Sequence, residues 1–252
     1  MKIFVTDKYR VLTFMLICTV IGIGAFLSNS GDTAVSTDRK IIPVYCVDRS
    51  DNKIAVTFDC AWGSEDINSI LSTLKKYNCK ATFFVLGTWA EKNADAMKKI
   101  AEEGHEIANH SYNHAHYTSL SRDKMREDML KANESIKKAC EVTPTLFRAP
   151  SGDYNNAVIE VCHEAKMEYI QWSVDSLDWR NLTGSEMLER IIPKTKSGDI
   201  LLFHNGTKHT AESLDLILSA LSKKGFSFSK VSDLIYTENY TIDHTGRQKQ
   251  LK

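Results

Sequence analysis

Short apolar runs alternate with amphipathic segments along the chain from residue 53 onward. Apolar runs of four to eight residues predict buried strands, and apolar residues at i, i+3, i+4 and i+7 predict helices. Seven strands are expected, at residues 53–58, 81–86, 106–108, 146–149, 169–174, 200–203 and 226–231. Helices are expected between them, with Ser64 and Ser121 as N-terminal caps. This alternation predicts a parallel sheet, and about seven such units predict a closed or nearly closed α/β barrel.

The N-terminus has a different pattern. Residues 11–27 are almost wholly apolar and follow Lys2, Lys8 and Arg10. Basic residues before an apolar run are typical of a secretory signal peptide or a signal anchor. No Ala-x-Ala site follows the run, which favours an uncleaved anchor. Either alternative places the rest of the chain outside the cytoplasmic membrane.

The length and the charge of the chain limit its possible domain organisation and partners. The 252 residues are enough for one barrel domain, and the charges balance, with 32 basic and 32 acidic residues, so nucleic acid is not an expected partner. The six cysteines do not form a regular disulfide framework. The predicted boundaries are a signal anchor or signal peptide at 1–30, a linker at 31–50, the domain at 51–236 and a loose polar tail at 237–252.

Polar residues follow the C-terminal ends of five predicted strands: Asp59, His110, Arg148, Asp175 and His204. In a β/α barrel these strand ends form one rim, where active sites are assembled. A further histidine, His114, lies four residues after His110. On a single helical turn this spacing would bring both imidazoles to one face, where they can bind one metal ion. Neutral imidazole suits zinc and neighbouring first-row metals.

Five segments around these residues resemble the motifs of the polysaccharide deacetylases, carbohydrate esterase family 4, with its NodB homology domain. In chain order they are Thr-Phe-Asp at 57–59, His-Ser-Tyr-Asn-His at 110–114, Arg-Ala-Pro-Ser-Gly at 148–152, Asp-Ser-Leu-Asp-Trp at 175–179 and Leu-Phe-His at 202–204. The resemblance covers about residues 52–234. It implies a single catalytic domain with a distorted (β/α) barrel of about seven strands, which removes the N-acetyl group of an aminosugar and releases acetate.

The resemblance also implies catalytic roles. Asp59 would be the general base, oriented by Arg148, and His204 would be the general acid, with Asp175 as its charge partner. Asp178 is interpreted as a loop or cap residue. The expected metal ligands are His110 and His114, holding a divalent ion such as zinc, cobalt or manganese that lowers the pKa of bound water. The expected substrate contacts are the backbone N–H of Ser151 for the oxyanion, Trp179 and Leu202 in the acetyl pocket, and Trp62 as a sugar platform.

Two positions depart from the family pattern. Cys60 occupies the place of the second aspartate of the first motif, which is the third metal ligand in the family. It is either a thiolate ligand or a small buried residue that leaves two histidines on a weakly held ion. Ser151 occupies the place where the third motif usually has tyrosine, which alters one wall of the groove.

The leading hypothesis is a monomeric peptidoglycan N-deacetylase at the cell or spore envelope. The single-domain, membrane-anchored layout is most similar to the spore-type peptidoglycan deacetylases. Its partners would be the glycan and, through the N-terminal segment, the membrane. Two alternatives remain open. One is a catalytically impaired carbohydrate-binding member of the family, and the other is a deacetylase of chitin-like oligomers.

Overall fold

The computed structural model describes residues 40–251, so the signal segment expected at residues 1–30 lies outside the described residues. Within residues 40–251 no helix is both long enough and apolar enough to cross a membrane. The strands are β1 (Cys46–Val47), β2 (Lys53–Cys60), β3 (Thr82–Val85), β4 (Glu106–Asn109), β5 (Leu146–Phe147), β6 (Glu168–Tyr169), β7 (Val174–Asp175), β8 (Ile200–His204), β9 (Ser227–Ser229), β10 (Tyr240–Ile242) and β11 (Arg247–Gln250). The helices are α1 (Ile67–Lys76), α2 (Gly87–Lys92), α3 (Ala94–Glu102), α4 (Arg122–Cys140), α5 (Asn156–Glu164), α6 (Gly184–Ile191), α7 (Thr210–Lys223) and α8 (Val231–Leu234).

Eight strands form one parallel sheet in the order β6-β5-β4-β3-β2-β8-β7, with β9 paired to the start of β2. The predicted distorted (β/α) barrel of about seven strands is therefore confirmed. One expected strand, at 169–174, is divided into β6 and β7. The chain changes partners there, because the Ile170 N–H donates to Phe147 in β5 whereas the Ser173 N–H donates to Ile200 in β8.

Strand β2 lies at the centre of this sheet and is buried along almost its whole length. Its side chains alternate between the two faces, as the strand period of two requires. Val56 and Phe58 pack in the apolar cluster formed with helices α1 and α7. Thr57 and Asp59 point to the other face, where Thr57 donates a hydrogen bond to the Leu201 carbonyl. The strand thus separates an apolar layer under the helices from a polar layer inside the barrel.

The segment expected to be a linker is folded into the domain from Lys40 onward. Val44 and Val47 are fully buried, and β1 pairs with β11. Val44 also bridges Ile170, and Cys46 bridges Asp199. The prediction of a linker extending to residue 50 was therefore wrong, because these apolar side chains fill the gap between the ends of β6 and β8.

The C-terminal segment expected to be loose is also ordered, with β10 and β11 forming a small sheet with β1. Gln248 is fully buried there, and its side-chain amide both accepts from the Tyr236 N–H and donates to the Tyr236 carbonyl, each at 2.7 Å. The polar composition of this segment was misleading, because the buried amide of Gln248 is satisfied by the backbone of Tyr236.

Helix starts agree with the expectation in one case and differ in another. Ser121 caps α4, accepting a hydrogen bond from the Lys124 N–H. Ser64 does not cap α1, which begins at Ile67 after Asp66. The Asp66 carboxylate accepts the Gly206 N–H at 2.7 Å instead, tying this helix start to the loop after β8. The helix expected at about 90–103 is two helices, α2 and α3, divided at Asn93.

Removal of residues 40–50 is expected to destabilise the domain. A protein beginning at residue 51 loses buried Val44 and Val47, each worth about 1.5–3 kcal/mol, so its Tm should fall by roughly 10 °C relative to a protein beginning at residue 40. Thermal unfolding followed by circular dichroism measures this difference. Equal Tm values for the two proteins would contradict the structural role of β1.

Candidate active site

A cavity of about 620 Å³ opens at the C-terminal ends of the central strands. Nine of the residues predicted from the sequence line it: Asp59, Trp62, His110, His114, Ser151, Asp175, Trp179, Leu202 and His204. Arg148 lies beneath its floor, fully buried. The structure therefore brings together every predicted site residue except Cys60. These residues come from elements spread along the chain from Asp59 to His204.

Asp59 is held in place by Arg148. The guanidinium donates to Asp59 Oδ1 at 2.7 Å and to Thr57 Oγ1 at 2.9 Å, and it stacks 3.9 Å from the centre of the Phe84 ring. Burial disfavours the charged carboxylate, but the positive charge of Arg148, with smaller contributions from His110 and His204, outweighs burial and lowers the pKa of Asp59. Asp59 is therefore ionised at neutral pH, with Oδ2 directed towards His110.

His110 and His114 are brought together by a loop and not by the helical turn expected from their spacing. The loop follows β4, and its turn is built by side chains that bind backbone: Asn109 Oδ1 accepts the Ser111 N–H and Ser111 Oγ accepts the His114 N–H. Both Ser111 and His114 have positive φ angles, 78° and 66°. The two imidazole rings lie 5.5 Å apart, centre to centre.

The protonation state of His110 follows from its surroundings. Its Nδ1 donates a hydrogen bond to the Arg148 carbonyl at 2.8 Å, and burial lowers its pKa to about 4. The neutral ring therefore presents an unprotonated Nε2, which faces Asp59 Oδ2 at 3.6 Å. An unprotonated Nε2 is the state in which an imidazole can bind a metal ion.

His204 is paired with Asp178, not with Asp175 as expected. Asp178 is fully buried, and its Oδ1 accepts a hydrogen bond from His204 Nδ1 at 2.7 Å. Its Oδ2 accepts the His204 N–H and the hydroxyl of Thr210. Burial lowers the pKa of His204, but the hydrogen bond and the charge of Asp178 outweigh burial and raise it. The interpretation of Asp178 as a mere loop or cap residue was also wrong.

Asp175 also lines the cavity, but it has a local role. Its Oδ1 accepts the Leu177 N–H at 2.8 Å, which stabilises a turn in which Leu177 has a φ of 56°. This turn carries Asp178 from the end of β7 to a position beneath His204. Asp175 adds only a small electrostatic contribution to the raised pKa of His204.

Cys60 lies outside the cavity. β2 continues through Cys60, which is paired with Val85 of β3. Strand alternation therefore directs its side chain to the face opposite Asp59, into the apolar cluster that contains Phe58. Burial raises the pKa of the Cys60 thiol well above its ordinary value, which disfavours the thiolate needed for metal binding. This placement agrees with the small buried residue of the two interpretations.

The residues of the cavity fit a metal ion only in part. Two neutral imidazoles are suitable donors for a borderline divalent cation. A third ligand is lacking, since no cluster of three or more His, Cys, Asp or Glu side chains within residues 40–251 is arranged to hold a metal ion. The arrangement therefore fits an ion held by two protein ligands, and not the three-ligand site expected of this motif.

Aromatic side chains form the rim of the cavity. Trp62 and Trp179 are 51% and 54% exposed, and such flat apolar surfaces at a polar cleft are suited to stacking on sugar rings. The Trp62 ring lies 5.7 Å from the ring of His204. Leu202 is buried in the wall, and Ser151, with a φ of 57°, also lines the cavity. The acidic, basic and aromatic side chains described above thus line the same cavity.

Sequence reasoning named Asp178 but gave it no role in the site, and it missed Trp172 and Lys208, which line the cavity. Asp178 lies in the Asp-Ser-Leu-Asp-Trp segment at 175–179, so the sequence marked its position but not the turn that brings it to His204. Trp172 lines the wall, and the Arg148 guanidinium lies 5.5 Å from its ring. Lys208 lies in the loop after β8, where no periodic pattern marks it.

Comparison with known proteins shows consistent similarities. Residues 47–170 match the family model described as polysaccharide deacetylase. The chain is 34% identical to a peptidoglycan-N-acetylglucosamine deacetylase of Bacillus cereus, covering 75% of this chain and 91% of that protein. It is 36% identical to the uncharacterized protein YlxY of Bacillus subtilis, covering 77% of this chain and 60% of that protein. The chain thus spans less than two thirds of this relative's length.

Solved structures of other proteins have a similar fold. The structure of wild-type BA3943, a CE4 family pseudoenzyme from Bacillus anthracis, matches with a TM-score of 0.74 and 33% identity, covering 76% of this chain and 68% of that one. A mutant of the same protein with restored enzymatic activity matches with a TM-score of 0.73 and 34% identity. Similarity at this level thus extends to both active and inactive relatives.

Proposed function

Because the chain belongs to the polysaccharide deacetylase family, we propose that it hydrolyses the N-acetyl group of an aminosugar in peptidoglycan and releases acetate. The observation that carries the proposal is an opposed base and acid in one cavity. Asp59 and His204 are register partners on the adjacent strands β2 and β8. Their pKa values are shifted in opposite directions, lowered for Asp59 and raised for His204. Such divergent shifts assign the base and the acid of a hydrolytic site.

The mechanism follows from these two states. The ionised Asp59, fixed by Arg148, accepts a proton from a water molecule that attacks the acetamide carbonyl. The Ser151 backbone N–H is suited to bind the oxygen that becomes negative. The protonated His204, held by Asp178, then donates its Nε2 proton to the amine nitrogen as the C–N bond breaks. Acetate and a free amine are the products.

A divalent metal is part of the proposal, with His110 and His114 as its protein ligands. When bound, such an ion polarises the carbonyl and lowers the pKa of water. The chain's own contribution is to keep His110 in the correct tautomer, through Nδ1 and the Arg148 carbonyl, so that Nε2 is free. Whether the ion is zinc, cobalt or manganese is a matter of donor preference, and two imidazoles favour zinc.

Peptidoglycan is proposed as the substrate because relatives named as peptidoglycan deacetylases share the domain. The proposed location is accordingly extracytoplasmic. The signal anchor, the membrane contact, the monomeric state and the role at the spore envelope remain predictions from the sequence.

A second candidate function is carbohydrate binding with impaired catalysis. Two observations favour it. Cys60 supplies no metal ligand to the cavity, and the pseudoenzyme BA3943 shares the fold at 33% identity. The retained pairs Asp59–Arg148 and His204–Asp178 favour catalysis instead, because binding alone does not need a matched base and acid.

Acetate release discriminates the two candidates. The protein from residue 40 onward is incubated with purified peptidoglycan fragments and with chitin oligomers, each with and without added zinc. Mass spectrometry then detects the loss of each acetyl group as a fixed mass decrease. Deacetylation of the peptidoglycan fragments supports the proposal. Deacetylation of the chitin oligomers alone supports the alternative of a deacetylase of chitin-like oligomers. Binding of the fragments without any acetate release supports the impaired binding protein.

Replacing Cys60 by alanine tests its assignment as a buried residue. Because its side chain packs in the apolar cluster, Cys60→Ala is expected to change zinc affinity by no more than a few fold while lowering Tm slightly. Titration of zinc into metal-stripped protein, followed by calorimetry, measures the affinity, with His114→Ala as the matched control that should weaken binding strongly. A large loss of affinity in Cys60→Ala would identify the thiol as a ligand.

A further inference from the structure

Lys208 is an unpaired cation at the wall of the catalytic cavity. Among the residues of 40–251 that line the cavity, it is the only lysine or arginine. Its ammonium group makes no ion pair and no hydrogen bond with the described part of the chain. An exposed lysine that faces solvent on an open surface needs no explanation. A lysine that faces a substrate cavity without a partner, by contrast, is available to a ligand.

The other charges of the cavity are already compensated. Asp59 is neutralised by Arg148, and His204 by Asp178. The remaining carboxylate, Asp175, accepts a backbone N–H and forms no ion pair with Lys208. The Lys208 ammonium is therefore a cationic side chain of the cavity wall that is available to a negatively charged group on the substrate.

The loop that carries Lys208 is anchored to both sides of the catalytic centre. The Gly206 N–H donates to Asp66 Oδ2 at 2.7 Å. Gly206 has a φ of 68°, and a Cβ added there would lie 2.9 Å from Trp62 Cβ, so the loop packs directly against the Trp62 platform. On the other side, Thr207 Oγ1 is hydrogen-bonded to Thr210, whose hydroxyl donates to Asp178. The backbone beside Lys208 is thus held at a fixed place between the sugar platform and the acid pair.

We propose that Lys208 binds a carboxylate carried by the glycan beside the reacting N-acetyl group, so that the cavity prefers acidic aminosugar chains over neutral ones. This inference rests on the proposed deacetylase function and specifies its substrate class. In peptidoglycan the carboxylate has two sources, the lactyl ether of a muramic acid residue and the peptide stem attached to it. Both present the same chemistry to an ammonium group. Chitin-like oligomers have neither.

The size of the effect follows from the exposure of Lys208. A solvent-exposed ion pair is weak, and a charge-assisted hydrogen bond adds to it. We therefore expect a preference of roughly fivefold in kcat/KM, concentrated in KM, because the carboxylate is bound alike in the ground and transition states. Added salt should weaken this preference, since the Debye length falls to about 3 Å at 1 M.

The test compares substrates that differ only in this charge. A muramic-acid-containing oligosaccharide stripped of peptide is assayed with its lactyl carboxylates free and after methyl esterification. The same oligosaccharide with the peptide stem attached forms a third arm. The ratio of kcat/KM for acid over ester is measured for the wild type, for Lys208→Gln and for Lys98→Gln. Lys98 is an exposed lysine of α3 and serves as the matched control.

The expected ratio is about five for the wild type and for Lys98→Gln, and close to one for Lys208→Gln. A preference for the stem-bearing substrate over the stripped ester, also lost in Lys208→Gln, assigns the carboxylate to the peptide. Equal ratios in Lys208→Gln and the wild type would overturn the inference while leaving the deacetylase proposal intact. If no substrate releases acetate, the deacetylase proposal fails, and calorimetric binding of the acid and ester oligosaccharides to the same three proteins tests Lys208 by itself.

Discussion

Replacing Asp59 by asparagine is expected to reduce acetate release by about a thousandfold, within the usual range for a lost general base. An amide of the same shape can still accept the hydrogen bonds of Arg148, but it cannot take a proton from water. The measurement is the rate of acetate release at saturating substrate. We expect the loss to appear in kcat rather than KM, because proton transfer occurs only in the transition state.

Controls separate this loss from unfolding. The Asp59→Asn substitution leaves the Arg148 charge without its carboxylate, and a buried charge that loses its partner costs several kcal/mol, about 3–5 in comparable cases. A lower Tm is therefore expected together with an unchanged circular dichroism spectrum at 25 °C. Arg148→Met provides the converse, removing the cation while leaving Asp59. Near wild-type turnover in a folded Asp59→Asn protein would exclude Asp59 as the base.

Replacing His204 by alanine is the second large effect, an expected loss of roughly a hundredfold or more. Asp178 raises the pKa of the His204 imidazole, which favours the protonated form that the proposed acid needs, and alanine cannot donate a proton. A substrate with a better leaving amine should suffer less, because it needs less protonation. Equal losses for good and poor leaving groups would argue that His204 acts in binding and not as the acid.

Replacing Asp178 by asparagine tests whether the Asp178 carboxylate sets the pKa of His204. In the wild type, Asp178 raises the pKa of His204, so the protonated acid persists above its ordinary pH range and activity is lost only as pH rises through the raised pKa. Without the Asp178 charge, the pKa of His204 should be lower than in the wild type. The alkaline limb of the kcat profile should move to lower pH, and acidification should restore part of the rate.

The acid limb of the kcat profile is expected to be the same in Asp178→Asn as in the wild type. Asp59 must be ionised to act as the base, and its pKa is lowered, so activity should fall only at pH values below the ordinary carboxyl range. The same group contributes stability that is present above the pKa of an unfolded aspartate and is lost as pH falls through the lowered pKa of the folded state. A shift of the acid limb in Asp178→Asn would indicate coupling between the two pairs.

Much of the site was accessible from the sequence because its residues follow strand ends. Once apolar runs alternate with helices, Asp59, His110, Arg148 and His204 are placed on one rim by the geometry of a parallel barrel alone. The five ordered motifs then identify the chemistry. Neither step requires knowledge of how any side chain is oriented, which is why both could be taken from the order of residues.

The orientation of Cys60 was decided by the length of β2. The expected strand ended at Phe58, and the observed strand continues to Cys60 because Asp59 and Cys60 pair with Phe84 and Val85 of β3. Hydrogen bonds to a neighbouring strand are non-local, and strand ends are set by them as much as by local propensity. Once the strand continues, alternation places Cys60 and Asp59 on opposite faces.

The partner of His204 and the close approach of His110 and His114 also depend on the tertiary structure. The turn after β7, stabilised by Asp175, reverses direction and delivers Asp178 to His204. The loop after β4 uses positive φ angles at Ser111 and His114 instead of a helix. Both depend on hydrogen bonds between side chains and backbone within a turn, which residue spacing does not specify.

By itself, the sequence determined the α/β class, the family and the set of residues on the rim, because periodicity and motif order are properties of the chain. Only the tertiary structure decided which acid pairs with His204, that Cys60 lies in the apolar cluster outside the cavity, and that residues 40–50 and 237–251 belong to the folded domain. These depend on contacts between segments far apart in the chain. Their free energies arise from burial and hydrogen bonding in the assembled barrel.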